Sequence, residues 1–450
     1  MGPARPADSL EPEISALVPW CPGDLATWRP GDLATWRPGE EHASGGRVRL
    51  TRSRPLRVAA ACFVCALLGS PWTCEAQPST QPSTISAVLT FLVTSESVDT
   101  GNPERDRSAA LATSATISRA LLTTLATLPV TSTSGAFQYR LNPDIGTVER
   151  ATRNFGPLFV QRALTVGSGT AGIGLSYQHL RLTALDGRNL RNGTLVTTAN
   201  RFTDEADPFD LDQLTLNIDA DIATLYGNVG LGNRVEIGAA APLVSLRIDG
   251  TRVNTYRGRT FTQARASGQV FGLADVLTRA KVTIFEEAGA SLAGAVDLRL
   301  PTGRREDLLG AGKASTRITA IGSLEGEQLS GHANLGVALG GLADEVIYGA
   351  ALTGQANERV TMNLEILGRW IDTPGSVRTV SAPHATLSGI ETLRLVPGTD
   401  RLQTLTLTPG VKWNLGDTWV LVAHVGMPLM RGGLRAPLLP FIGLDYSIGR

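Results

Sequence analysis

The chain reads as an all-β protein, an antiparallel up-and-down transmembrane β-barrel of about 12 strands with a short helical N-terminal periplasmic segment. Three observations predict this. From about Thr170 to the C-terminus, residues alternate apolar and polar in segments of about 10 to 15 residues. A tilted strand needs about 9–11 residues to cross the hydrocarbon layer, so the segments have the right length. The connections between them run alternately long and short, and a secretory signal pattern precedes them all.

Each strand is justified by its two faces, because successive side chains point to opposite sides of a sheet. In Gln213–Ile222, Leu214, Leu216, Ile218, Ala220 and Ile222 share one face, against Gln213, Thr215, Asn217, Asp219 and Asp221. In Val276–Ile284, Val276, Ala280, Val282 and Ile284 oppose Arg279, Lys281 and Thr283. Leu292, Val296, Leu298 and Leu300 oppose Asp297 and Arg299. Val360, Met362, Leu364, Ile366 and Trp370 oppose Arg359, Thr361, Asn363, Glu365 and Arg369, and Leu405, Leu407, Val411 and Trp413 oppose Thr404, Thr406, Thr408 and Lys412. The remaining strands are predicted at about 170–183, 234–248, 315–325, 328–340, 345–355, 417–429 and 438–448. An even count with both barrel ends on the short-turn side places that side in the periplasm. Tyr226, Trp370, Trp413, Trp419 and Tyr446 fall near strand ends, where interfacial aromatics belong.

Composition narrows the function classes. With 41 basic and 41 acidic residues the net charge is zero, so no basic footprint points to nucleic acid. No apolar run approaches the roughly 20 residues of a membrane helix. The cysteines, Cys21, Cys62, Cys65 and Cys74, all precede residue 75. They surround a signal pattern over residues 47–76, with basic Arg47 to Arg57, the apolar run Val58–Leu68 and a cleavage site after Ala76. The mature chain then holds no disulfide and no cysteine metal site. Residues 1–46 carry GDLATWRP twice in tandem, ahead of the signal pattern, and read as a disordered extension or as sequence upstream of the true start.

Residues 77–165 read as a periplasmic linker with a partly helical segment. Ile85–Val93 and Arg107–Leu128 have helical spacing, with Val88, Leu92, Ile117, Leu121 and Leu125 on one stripe. This segment is expected on the periplasmic side, or as a plug folded into the barrel mouth. The barrel itself is assigned to 166–450.

The segment Asp297–Ser315, DLRLPTGRREDLLGAGKAS, resembles a strand-and-loop signature of bacterial outer-membrane proteins grouped as transporters of a phenol-degradation (MetA) pathway. The signature residues are Leu300-Pro301-Thr302-Gly303 and Leu308-Leu309-Gly310-Ala311-Gly312. The upstream FGPLFVQRALTVGSG and GLSYQHLRL are similar to the lead-in of such barrels. The resemblance implies an outer-membrane channel or transporter, with aromatic or hydrophobic solutes as cargo. Such barrels often end on an aromatic residue, whereas this chain ends Ser447-Ile448-Gly449-Arg450.

The polar faces supply the candidate site. Asp219, Asp221, Arg234, Glu236, Arg279, Lys281, Asp297, Arg299, Arg317, His332, Glu365, Arg369, Lys412 and Asp445 are expected to line the lumen. Both signs occur on neighbouring strands, so cross-strand pairing is natural. The expected function is passive passage of small solutes through a hydrated lumen, gated by loops 184–210, 249–275 and 372–400 or by the N-terminal segment. A lipid-acting enzyme built on His332 or His424, and a non-conducting structural or adhesive barrel, are the alternatives. His179, His332, His384 and His424 lack metal-ligand spacing, and no cofactor is implied. Expected partners are outer-membrane lipid and lipopolysaccharide, the barrel-assembly machinery and a small-molecule solute, with no nucleic acid.

Overall fold

The computed structural model describes residues 84–94, 103–127, 139–142, 147–150, 152, 154–384, 387–416 and 418–448, all within one compact unit, Pro78–Arg450. The tandem repeat and the signal pattern lie outside the described residues.

Sixteen strands form one antiparallel sheet. They are β1 Ala171–Leu182, β2 Leu195–Phe202, β3 Asp210–Gly230, β4 Val235–Tyr256, β5 Arg259–Leu273, β6 Val276–Glu287, β7 Ala290–Leu300, β8 Ser315–Glu325, β9 Leu329–Gly340, β10 Glu345–Asn357, β11 Val360–Pro374, β12 Val377–Pro383, β13 Ile390–Pro397, β14 Arg401–Gly416, β15 Trp419–Pro428 and β16 Leu439–Ile448. Twelve of them close into a barrel in the order β1-β3-β4-β6-β7-β8-β9-β10-β11-β14-β15-β16. Closure is made by β16 on β1, from Phe441 opposite Gln178 to Ile448 opposite Ala171. The other four extend the wall beyond the closed ring: β5 pairs with the far half of β4, β2 with the start of β3, and β13 and β12 continue from β2.

The outer surface has the polarity of a membrane protein. Leu175, Leu292, Val296, Leu335, Leu352, Met362 and Leu364 all point outward and are exposed, while the opposite face carries buried Ser291, Asp297, Ser323, Thr353, Thr361 and Glu365. Aromatic residues mark both edges of this apolar band. Tyr348 and Trp370 sit together near one edge, with ring centroids 5.3 Å apart. Trp419 and Tyr446 sit at the other, 4.6 Å apart, with Trp413 on the next strand. Trp413 lies opposite Val360, ten residues along β11 from Trp370. At about 3.3 Å per residue and a tilt near 40°, that separation is about 25 Å, the height of an outer-membrane apolar band. This is a transmembrane β-barrel.

The strands do not keep that polarity to their ends. Along β1, Ile173, Leu175 and Tyr177 face outward, followed by His179 and Arg181. Along β3, outward residues are Leu225 and Val229 near the short turn, but Asp221, Asp219 and Asn217 further out. Along β4 the outward series Val235, Ile237, Ala239, Ala241, Leu243 changes to Ser245, Arg247, Asp249. The register puts the three changes at one level: Tyr177, Ala223 and Leu243 are neighbours, and so are His179, Asp221 and Ser245. The apolar band ends there. Beyond it the wall is a water-soluble sheet with its apolar face inward. For this reason β3 and β4 reach 21 and 22 residues, well past the membrane-spanning length.

The apolar interior of the projecting wall is filled by two helices. Helix α1 (Ile85–Thr94) starts where the Thr84 hydroxyl accepts a bond from the Ala87 N–H at 3.2 Å, an N-cap. It places Ile85, Val88, Leu89 and Leu92 on one buried stripe. Helix α2 (Pro103–Thr127) begins with a proline at its first position, where the missing N–H costs nothing. Buried Ile117 and Leu121 join α1 against Leu214, Leu216, Leu246 and Ile248. Gly250 and Gly268 let α1 approach the sheet, since a Cβ there would collide with Leu92 or Val88. The helices therefore pack on the projecting wall, at the long-loop end of the sheet. Their apolar stripes meet the apolar interior of that wall.

Candidate functional site: a lumen crossed by its own chain

Within the membrane-spanning part, the interior is charged. Glu236, Arg279, Lys281, Asp297, His332, Glu365, Lys412 and Asp445 point inward and are buried; Arg299, Arg317 and Arg369 share that face. Three candidates are placed elsewhere. Asp219 and Asp221 face outward above the apolar band, where Asp219 pairs with Arg181 at 3.2 Å and Asp221 takes His179 at 2.7 Å. They were assigned inward because alternation has the same period on both sides of the boundary. Arg234 lies exposed in the β3–β4 turn. Tyr226, expected in an aromatic girdle, points inward instead and hydrogen-bonds Asp445.

Residues 154–166 cross the lumen at the short-turn end and bond to side chains of six strands, β4, β6, β8, β9, β11 and β14. The Glu365 carboxylate accepts three successive backbone N–H groups, from Leu158 at 2.6 Å, Phe159 at 2.9 Å and Val160 at 2.8 Å. Lys412 donates to the carbonyls of Pro157 at 2.8 Å and Phe155 at 3.2 Å. Thr361 accepts from the Phe155 N–H at 3.1 Å, and Ser330 from the Asn154 amide at 2.7 Å. Across the lumen, Lys281 donates to the Leu164 carbonyl at 2.9 Å and pairs with Glu236 at 3.3 Å. Thr283 donates to the Ala163 carbonyl at 2.7 Å, and Glu236 accepts from the Val166 N–H at 3.0 Å. Phe159 packs edge-on against Phe441, 5.4 Å away, on the remaining wall. Hydrogen bonds to charged groups contribute about 1.5–3 kcal/mol each, so this segment is held firmly yet only by noncovalent contacts.

The histidines serve the same crossing. His332 Nδ1 lies 2.9 Å from Ser323 Oγ, and that oxygen also accepts the Ala163 N–H at 2.9 Å. Glu325, the nearby carboxylate, is 4.0 Å from the same Nδ1, so it does not orient the ring from the far side as a hydrolytic base requires. His424 packs against Phe159 and Phe441.

Nearer the long-loop end, the wall carries a ladder of arginines. Arg279 bonds Asp297 at 2.8 Å, Arg317 lies 3.8 Å from Asp297, and Arg369 pairs with Glu345 at 3.2 Å. The loop 301–314 closes over this level around Asp275, which the sequence reading missed. Its carboxylate accepts from the Gly303 N–H at 3.1 Å and the Ala311 N–H at 2.9 Å. A Cβ at Gly310 would strike both Asp275 and the Gly303 backbone, which accounts for the two glycines. Leu308 and Leu309 are buried in the helix-lined core, and the Ser86 N–H bonds the Glu306 carbonyl at 3.1 Å. The Leu-Pro-Thr-Gly and Leu-Leu-Gly-Ala-Gly segments thus fix a loop to the wall and to α1.

No protein-family model matches the chain, and no curated protein does. Among solved structures, an outer membrane channel from Pseudomonas putida F1 is similar with a TM-score of 0.41 and 15% identity, over 64% of this chain and 98% of that one. The P. putida toluene transporter TodX gives 0.30 and 9%, over 65% and 98%. The Escherichia coli outer membrane protease OmpT gives 0.26 and 9%, over 62% and 97%. At such scores none of these proteins lends its chemistry to this chain.

Proposed function

We propose that the chain is a gated channel of a Gram-negative outer membrane, passing small solutes when residues 154–166 leave the lumen. The observation that supports this best is how the crossing is bound. It meets charged and polar groups of the wall, and Lys281, Lys412, Glu236 and Glu365 would face water once it moves. A barrel built only for structure gains nothing from such a lining, since buried charges cost stability unless paired. The resemblance to phenol-pathway transporters favours aromatic or apolar cargo, and the outer-membrane location follows from the short turns, long loops and roughly 25 Å apolar band. Lipopolysaccharide at the rim, near Arg181 and Arg247, and folding by the barrel-assembly machinery belong to the same reading.

Planar-bilayer conductance of the refolded full chain tests it. Rare discrete steps in the wild type, made frequent by weakening the crossing, are expected. A folded barrel that stays silent after the crossing is weakened would overturn the channel reading.

A further inference from the structure

The charges of the inner wall are divided between the two ends of the lumen. Near the long-loop end stand Arg279, Arg299, Arg317 and Arg369, against the carboxylates of Asp297 and Glu345. Four guanidiniums over two carboxylates leave an excess of two positive charges there. Asp275, held by two N–H groups of the loop 301–314, lowers that excess to one without reversing it. Arg317 Nε is buried at this level without a hydrogen-bond partner among the described residues.

Near the short-turn end the sign is opposite. Glu236, Glu325, Glu365 and Asp445 outnumber Lys281 and Lys412 by two. While the crossing is in place it covers these carboxylates. Arg162 lies 3.6 Å from Glu325, and three backbone N–H groups bond to Glu365. Its departure exposes them to the lumen. Arg317 and Glu325 mark the two ends of β8. At about 3.3 Å per residue and a tilt near 40°, they are about 20 Å apart along the axis. The Debye length is about 10 Å at 0.1 M salt, so an ion feels each zone separately.

We propose that the open lumen is a filter of two oppositely charged zones in series, and that its cargo is uncharged small solutes. A small anion is drawn into the arginine zone and repelled by the carboxylates; a small cation meets the same zones in reverse. An uncharged solute meets neither barrier. The same arrangement makes ionic current depend on polarity. With the short-turn side positive, anions enter through the arginines and cations through the carboxylates, and both accumulate in mid-lumen. The reverse polarity empties it. The inference rests on the channel reading and names its cargo class.

Planar-bilayer recording and proteoliposome uptake, both on the refolded full chain, test it. In 0.1 M KCl the open current should differ about twofold between polarities, and the difference should fade in 1 M KCl, where the Debye length is about 3 Å. In a KCl gradient, R299M with R317M should turn the channel cation-selective, and E325Q with D445N anion-selective. These opposite shifts of reversal potential keep the test valid if one variant fails to fold. Erythritol should enter about fivefold faster than threonate or choline, ions of similar size and opposite sign, with the membrane potential clamped by valinomycin. Symmetric steps in 0.1 M KCl, a folded variant whose selectivity does not move, or either ion entering as fast as erythritol would overturn the proposal. Conductance steps without erythritol uptake would reject the cargo and keep the channel. No steps in the wild type or in Glu365→Gln would reject the channel, and this inference with it.

Discussion

The Glu365 carboxylate lies 2.6 Å from the backbone nitrogen of Leu158 and also accepts from the next two N–H groups, so a single side chain holds three successive residues of the lumen crossing. Glu365→Gln keeps the size but turns one acceptor oxygen into a donor that faces N–H groups. At least one charge-assisted bond is lost, about 1.5–3 kcal/mol. Because about 1.4 kcal/mol is tenfold in an equilibrium, the open probability in planar bilayers should rise at least tenfold. An unchanged gating record would show that the crossing is held elsewhere.

On the opposite wall, Lys281 is fully buried, paired with Glu236 and bonded to the Leu164 carbonyl. Lys281→Met leaves the buried Glu236 carboxylate without its cation, a loss of about 3–5 kcal/mol. The double variant Lys281→Met, Glu236→Gln removes both charges and should recover a large part of that loss. Thermal unfolding followed by the mobility shift of the folded barrel on electrophoresis measures both. Equal destabilisation in the single and double variants would rule out the pair as the cause.

Above the membrane, burial raises the carboxyl of Asp212 over its ordinary value of 3.8, although Arg252 at 3.9 Å opposes the shift. The native state thus holds its proton at pH values where the unfolded chain has released it. Stability of the projecting wall should fall as pH rises from about the ordinary value through the raised native one. Asp212→Asn removes this component. The wild-type minus variant difference in unfolding free energy should slope downward across that window, and a flat difference would contradict it.

Most of the barrel was legible because a strand's period of two is written directly in residue order. β7, β8 and β9 fall within about a residue of the segments read from the sequence. What misled was phase. In β3 the odd-numbered residues are polar from Gln213 to Asp221, and then Ala223, Leu225 and Val229 are apolar while Thr224 and Asn228 become the polar ones. That switch was present in the sequence and marks the membrane boundary; reading 213–222 alone turned Asp219 and Asp221 inward. The crossing was less legible. FGPLFVQRA has no period of its own, because its backbone bonds to side chains from four strands, β6, β8, β11 and β14, and not to a neighbouring strand. Asp275 was missed for a similar reason, as its partners are N–H groups 28 and 36 residues away.

The phase switch gives the sharpest contrast to measure. Leu364 faces outward midway between Val360 and Trp370, near the centre of the apolar band, while Asp249 faces outward beyond Ser245, in the water-exposed wall. An arginine at the bilayer midplane costs about 2–4 kcal/mol, and the cost falls toward zero near the interface. Leu364→Arg should therefore lower the free energy of folding into lipid vesicles by that amount. Asp249→Arg, a larger change of charge, should alter it by less than about 0.5 kcal/mol, as exposed surface substitutions do. If the two variants cost the same, the boundary does not lie between Leu243 and Ser245, and the apolar band would have to be redrawn.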